Sequence, residues 1–205
     1  MTGAALLVIA KDPRPGLCKT RLCPPCRPEQ AARLAAAALA DTLDVVVAAP
    51  AARRVLVLDG NAERWHRPGL EIIPQRGEGL AQRLANAFAD VGEPALLVGM
   101  DTPQLSAELL ADGLAGLASH DAVLGPALDG GYWSVGLRAV DPTVFAGVPM
   151  SSADTLCAQR RRLTQLGLST YEQPTLRDVD TIADARAVAA LAPESRFART
   201  LEALW

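Results

Sequence analysis

Short apolar runs alternate along the chain with longer amphipathic stretches. Residues 4–9, 54–58, 70–74, 95–99, 122–124, Tyr132–Leu137 and 170–174 are the short runs, and they predict strands. Residues 29–47 predict a helix opened by Pro28, with Leu34, Ala38 and Leu43 on its inner face. Over residues 78–91, Leu80, Leu84 and Phe88 recur every four residues, while Gln82, Arg83 and Asn86 turn outward. Ser106 is a good N-cap for a helix reaching about residue 119, with Glu108 in its first turn. Further helices are expected over 152–166, over 182–191, and from 194 to the end, the last carrying Phe197, Leu201, Leu204 and Trp205. Residues 144–150 read as a loop with short turns.

Strands alternating with helices mean an α/β fold: a mostly parallel sheet with helices on both faces. Ligands of such sheets sit beyond the carboxyl ends of the strands. With 205 residues the chain is expected to form one domain, 1–205. Half the residues are apolar but only 4% are aromatic, so the core is mostly Ala, Leu and Val. A net charge of −3 argues against a general nucleic-acid binder, yet it leaves room for a local basic pocket. No apolar run reaches the length of a membrane span, and the first is short with no charged segment ahead of it. A cytoplasmic protein with no membrane or nucleic-acid partner is the expectation.

One loop stands out. Residues 10–22, AKDPRPGLCKTRL, follow the first strand and contain Pro13, Pro15 and Gly16. Here lie the chain's only two lysines, Lys11 and Lys19, whereas the other 18 basic side chains are Arg. Lysine is a compact point charge on a flexible stem. Lys19 and Arg21, between a strand and a helix, are placed to grip phosphate oxygens. Cys23 and Cys26 have the spacing of half a zinc site or a redox pair, but no second pair exists and His66 and His120 are distant. The cysteines are read as structural. Arg160, Arg161 and Arg162 read as a solvated helix face. Trp65 and His66 are assigned to the surface or partial core.

Asp101 ends the most apolar strand, where a carboxylate is costly unless a cation meets it. Asp178 and Asp180 precede a helix at another strand end, and Asp129-Gly130-Gly131 forms a turn on the same rim. A hard divalent cation such as Mg²⁺ commonly uses one or two carboxylates plus substrate phosphates. Asp101 and Asp180 would supply these, with Lys19 and Arg21 neutralising the remaining phosphate charge. The plainer alternative is that these aspartates are N-caps or turn formers and that Gly130-Gly131 is only a tight turn.

The strings AKDPRPGLCKTRL, QRGEGLAQRLANAF, LLVGMDTPQL, VLGPALDGGYWSVGL and LRDVDTIADA, in this order, resemble the bacterial family DUF2064. The first loop and the late DVDT are also similar to guanylyltransferases that activate 2-phospholactate or phosphoenolpyruvate. More distantly, the chain is similar to the molybdenum-cofactor nucleotidyltransferases. The resemblance implies a Rossmann-like three-layer α/β/α sandwich of the nucleotide-diphospho-sugar transferase (GT-A) type. It implies that Ala10, Lys11, Gly16, Lys19, Arg21, Gly79, Leu80 and Arg83 lie at the nucleotide. It places Mg²⁺ or Mn²⁺ on Asp101 and Asp180, and the acceptor by Asp129, Gly130, Gly131 and Tyr132. Pro103 stands two residues after Asp101, so a full D-x-D is absent.

Nucleotidyl transfer from an NTP to a small phosphorylated or acidic acceptor, with Lys19, Arg21 and Asp101 as the catalytic groups, is the leading expectation. Glycosyl transfer from a nucleotide-sugar, with Asp129 as base, is the alternative. A non-catalytic nucleotide-binding domain is the third reading, against which the intact loop and carboxylates stand. The partners are then a nucleotide and a small acceptor, and a homodimer is compatible with either reaction.

Overall fold

The computed structural model describes residues 3–204. Its strands are β1 (Ala5–Lys11), β2 (Arg54–Asp59), β3 (Glu71–Pro74), β4 (Ala95–Val98), β5 (Ala122–Pro126), β6 (Tyr132–Leu137) and β7 (Thr170–Glu172). Its helices are α1 (Pro28–Ala48), α2 (Gly79–Val91), α3 (Ala107–Ser119), α4 (Thr155–Gln165), α5 (Ile182–Leu191) and α6 (Arg196–Glu202). The strands form one sheet in the order β3-β2-β1-β4-β6-β5-β7. Only β6 runs antiparallel to its neighbours, β4 and β5. The Asp129–Gly131 turn returns the chain on itself, so β5 and β6 are a hairpin inside an otherwise parallel sheet.

Strand side chains alternate between faces, and both faces of this sheet are covered. Leu6, Val8 and Ala10 of β1 pack with Leu39 and Leu43 of α1 and Leu110 and Leu117 of α3. Ala5 and Leu7 point the other way, into Leu84, Phe88 and Val91 of α2 and Leu163 of α4. A third cluster lies outside α1, where its outer positions Ala31, Leu34 and Ala38 meet Val188 of α5 and Phe197 and Leu201 of α6. The result is a three-layer α/β/α sandwich with an added α5–α6 hairpin. Among the described residues no helix is long and apolar enough to cross a membrane.

Of the expected inner face of α1 only Leu43 meets the sheet; Leu34 and Ala38 lie on its outer side, because α5 and α6 cover it there, and all three are buried. Leu80 is not: it is 40% exposed, because the first turn of α2 stands beyond the strand ends, where the core stops. The helix expected from residue 152 begins at Thr155. Thr155 Oγ1 first closes a turn, accepting from Ser152 N at 3.1 Å and donating to Pro149 O at 2.7 Å. The last helix begins at Arg196 under a Ser195 cap and ends at Glu202, and Trp205 lies outside the described residues. Pro142–Phe145 is a 3₁₀ turn that places Phe145 against Phe88. Trp65 is fully in the core, and its Nε1 donates to Asp12 Oδ1 at 3.0 Å.

Candidate functional site

The carboxyl ends of β1 to β4 share one rim, and because β6 is reversed, its first residue, Tyr132, lies there too. A cleft of about 920 Å³ opens on this rim. Its walls are the 17–21 loop, the start of α2, the 99–102 segment, the Asp129–Tyr132 turn, the 150–155 segment, and Asp178 and Asp180.

Two buried hydrophobes hold the charged end of the cleft. Leu22 closes the loop with a 3₁₀ turn, Thr20–Leu22, and sinks into the third cluster. Val179 is buried in the same cluster. In an extended segment the neighbours of a buried residue face the other way, so Val179 turns Asp178 and Asp180 towards the cleft. The Val179 amide donates to Asp101 O at 3.0 Å and ties the segment to the end of β4.

Lys19 is then caught between two carboxylates. Its Nζ lies 2.8 Å from Asp101 Oδ2 and 3.2 Å from Asp180 Oδ1. Arg21 Nη1 holds the other oxygen of Asp180 at 3.1 Å. The Lys19 side chain is only 12% exposed, whereas that of Arg21 is 76% exposed. Burial works against the Lys19 charge, but Asp101 and then Asp180 outweigh it and hold the ammonium above the usual lysine range. The Lys19 backbone is left-handed, φ 47° and ψ 41°, a conformation costing roughly 1 kcal/mol in a residue with a Cβ. Ser151, across the cleft, shares it at φ 56°.

Asp178 completes this end and was not among the expected ligands. Its Oδ1 is buried without a hydrogen-bond partner, as are Thr102 Oγ1 and Gln104 Oε1 nearby in the chain segments that meet here. Burial, then the charge of Asp101 and of Asp129, pushes the Asp178 carboxyl up to about 7, with Lys19 opposing. Asp101 and Asp180 are the carboxylates that could hold a divalent cation, and the Lys19 ammonium stands in for one between them. Their oxygens suit Mg²⁺ completed by substrate phosphates. Among the described residues no three His, Cys, Asp or Glu side chains are arranged to hold a metal without a ligand's help.

At the opposite end of the cleft the polar groups of Arg83, Asp59 and Gln75 satisfy one another. Arg83 Nη1 donates to Asp59 Oδ2 at 2.9 Å and to Gln75 Oε1 at 3.1 Å. Gln75 Nε2 donates in turn to Ala10 O at 2.5 Å and Val57 O at 3.1 Å. Ala10, Lys11, Gly79, Leu80 and Arg83 all line the cleft. Leu17, 75% exposed, lines the cleft as well. Gly16 is not part of the wall; it serves a turn in the loop, with φ 75°.

On the third side, Asp129 Oδ1 accepts from Gly131 N at 2.8 Å, and both residues line the cleft. Gly130 does not, but it is required: a Cβ there would meet Ala153 O at 2.1 Å, and its φ is 89°. Tyr132 Oη donates to Gln159 Oε1 at 3.4 Å, and burial pushes its phenol well above the usual range.

Sequence reasoning missed Asp178 as a distinct group, and it missed Gln75 and Asp59. Only the D-V-D alternation hinted at the first. Cys26 is buried beside Leu22 and Val179 as a small hydrophobe, and all four cysteines are free thiols. Arg160 pairs with Glu172 at 2.6 Å, and Arg162 donates to Thr143 O, so that basic run braces the surface of α4 outside the cleft.

No curated protein sequence matches the chain. A protein from Desulfovibrio desulfuricans G20, described as a candidate nucleotide-diphospho-sugar transferase, is similar at 30% identity and a TM-score of 0.86 over 100% of this chain and 94% of that one. A CMP:2-keto-3-deoxy-manno-octonic acid synthetase solved with CTP superposes with a TM-score of 0.62 at 13% identity, over 94% and 99% of the two chains. Rv0371c of Mycobacterium tuberculosis H37Rv, solved with manganese, gives 0.57 at 22% identity, over 91% and 97%. These likenesses establish the nucleotide-diphospho-sugar transferase fold. The family model described as "Uncharacterized protein conserved in bacteria (DUF2064)" matches residues 33–152, and with the Desulfovibrio relative it shows that the chain belongs to the DUF2064 family.

Proposed function

We propose that the protein is a transferase acting on a nucleotide donor, and that its reaction is Mg²⁺-dependent nucleotidyl transfer from an NTP to a small phosphorylated or acidic acceptor. The observation that carries this is the Lys19 ammonium between Asp101 and Asp180 at the rim of a nucleotide-sized cleft. The relatives solved with CTP and with manganese favour the same donor and metal chemistry.

Asp101 and Asp180 would hold the cation, which when bound draws charge from the phosphate oxygens. Lys19 and Arg21 bind the phosphates and neutralise charge that grows on them in the transition state. Ala10, Lys11, Gly79, Leu80 and Arg83 form the wall for the rest of the nucleotide. Asp129, Gly131 and Tyr132 face the acceptor, whose oxygen attacks the α-phosphorus while the bond to the β-phosphate breaks and pyrophosphate leaves. Positioning by these groups supplies most of the acceleration, since the protein forms no covalent bond.

Incubation with each NTP, Mg²⁺ and a panel of phosphorylated acids should release pyrophosphate. Absence of pyrophosphate together with turnover of a nucleotide-sugar would replace this reading by glycosyl transfer. The 30% identical relative favours that second reading, and Asp129 is the carboxylate available as its base.

A further inference from the structure

The same ion pairs that mark the site also obstruct it. Lys19 Nζ touches Asp101 and Asp180 at once, at 2.8 and 3.2 Å, so the ammonium and a divalent cation compete for the same carboxylate oxygens. We propose that Lys19 is a latch: in the nucleotide-free protein it occupies the cation position between Asp101 and Asp180, and the phosphates of an entering nucleotide draw it off, so that nucleotide and metal bind as a coupled pair. This rests on the nucleotide-donor reading above.

Four features carry the idea. Asp180 keeps a partner when Lys19 leaves, because Arg21 holds its other oxygen. The loop has room to move: Arg14, Pro15, Gly16 and Leu17 are exposed, while Leu22 anchors its far end in the core. Lys19 sits in a left-handed conformation that the two ion pairs help to hold. The charge tally also changes in the right direction. Lys19 neutralises Asp101 and Asp180, and moving it onto phosphate leaves a deficit that a divalent cation fills. A lysine suits this, since one charge on a flexible stem can change partners where a bidentate guanidinium would resist.

An occupied site lowers apparent affinity by the fraction of molecules in which it is blocked. Removing the Lys19 charge should therefore tighten Mn²⁺ binding to the nucleotide-free protein, although it weakens nucleotide binding. The experiment is titration of Mn²⁺ alone, read by the electron paramagnetic resonance of the free ion, on the wild type, Lys19→Gln, Lys19→Met and Lys11→Gln. Melting curves check that each variant folds, and the two Lys19 variants back each other up. The expected result is a gain of about tenfold in Mn²⁺ affinity for both Lys19 variants. Lys11→Gln removes the same charge from the same cleft without bridging a carboxylate, and should change affinity little. Unchanged or weaker Mn²⁺ binding by the Lys19 variants, an equal gain in Lys11→Gln, or no Mn²⁺ binding by any protein would each overturn the latch. Pyrophosphate release is scored separately. A protein that passes the Mn²⁺ test but releases none keeps the latch and loses nucleotidyl transfer, and the reverse pattern does the opposite.

Discussion

The two ends of the cleft differ in how their charges are met. At the β2–β3 end, Arg83, Asp59 and Gln75 satisfy one another and the backbone of Ala10 and Val57. At the β4 end, three aspartates face one buried lysine and one exposed arginine, and Asp178 Oδ1 has no partner. A self-satisfied network makes a rigid wall that a neutral part of a ligand can rest on. An unsatisfied one is costly in isolation and becomes favourable only when charge arrives. On the proposed nucleotide-donor reading, the contrast favours the β4 end for the phosphates.

The sharpest way to break this contrast is Asp101→Ala. It should abolish Mg²⁺-dependent nucleotide binding in calorimetry and lower the rate of pyrophosphate release by at least about 100-fold. Arg83→Ala should weaken nucleotide affinity by about tenfold and leave the Mn²⁺ affinity of the free protein unchanged. A loss of metal binding in that variant would show the two ends to be one network. Asp178→Asn should raise the melting temperature in metal-free buffer by about 3 °C, because it removes a repelled carboxylate. A lower melting temperature would mean that Asp178 is already paired.

The smallest effect is expected far from the cleft, at Asp121. Its carboxylate accepts from Ser169 N at 3.0 Å and Ser169 Oγ at 2.6 Å, with Arg138 beside it. Those bonds from Ser169, with lesser help from Arg138, hold its carboxyl below the ordinary value of 3.8. A depressed folded value means stability that is present above about pH 4 and lost as pH falls through the folded value. Asp121→Asn should accordingly lower the melting temperature slightly at pH 7, and the difference from wild type should vanish in acid. A gap that persisted at low pH would assign the effect to packing.

Most of the architecture was legible because its signals are local. The apolar runs gave the strands, and the four-residue spacing of Leu84 and Phe88 gave an inner helix face, whereas Leu34 and Ala38 share that spacing and face α5 and α6 instead of the sheet. Leu80 obeyed the same spacing yet faces the cleft, since periodicity does not say where the sheet ends. The reversal of β6 follows from the Asp129–Gly131 turn, but a glycine turn alone does not tell a hairpin from a wide loop. Lys19, Arg21, Asp101 and Asp180 are brought together as the loop and rim reasoning expected. Gln75, Asp59 and Arg83 come from three separate elements and carry no joint signature. Only the β3-β2-β1 order makes them neighbours. Val179 turns Asp178 and Asp180 alike to the cleft, but Asp180 meets Lys19 and Arg21 while Asp178 Oδ1 is buried without a partner, a tertiary difference that the D-V-D string cannot express.

The hydrophobes behind the site have a mechanical corollary. Leu22 and Val179 belong to one buried cluster with Leu34 of α1, Val188 of α5 and Phe197 and Leu201 of α6, so the basic loop and the acidic segment share one keel. Their spacing across the cleft is therefore set from outside the sheet, by the cluster that α1 forms with a hairpin of two short helices. A substitution on that hairpin would alter the aperture between lysine and aspartate without touching either charge, and would retune the site as a displaced hinge retunes a pair of jaws.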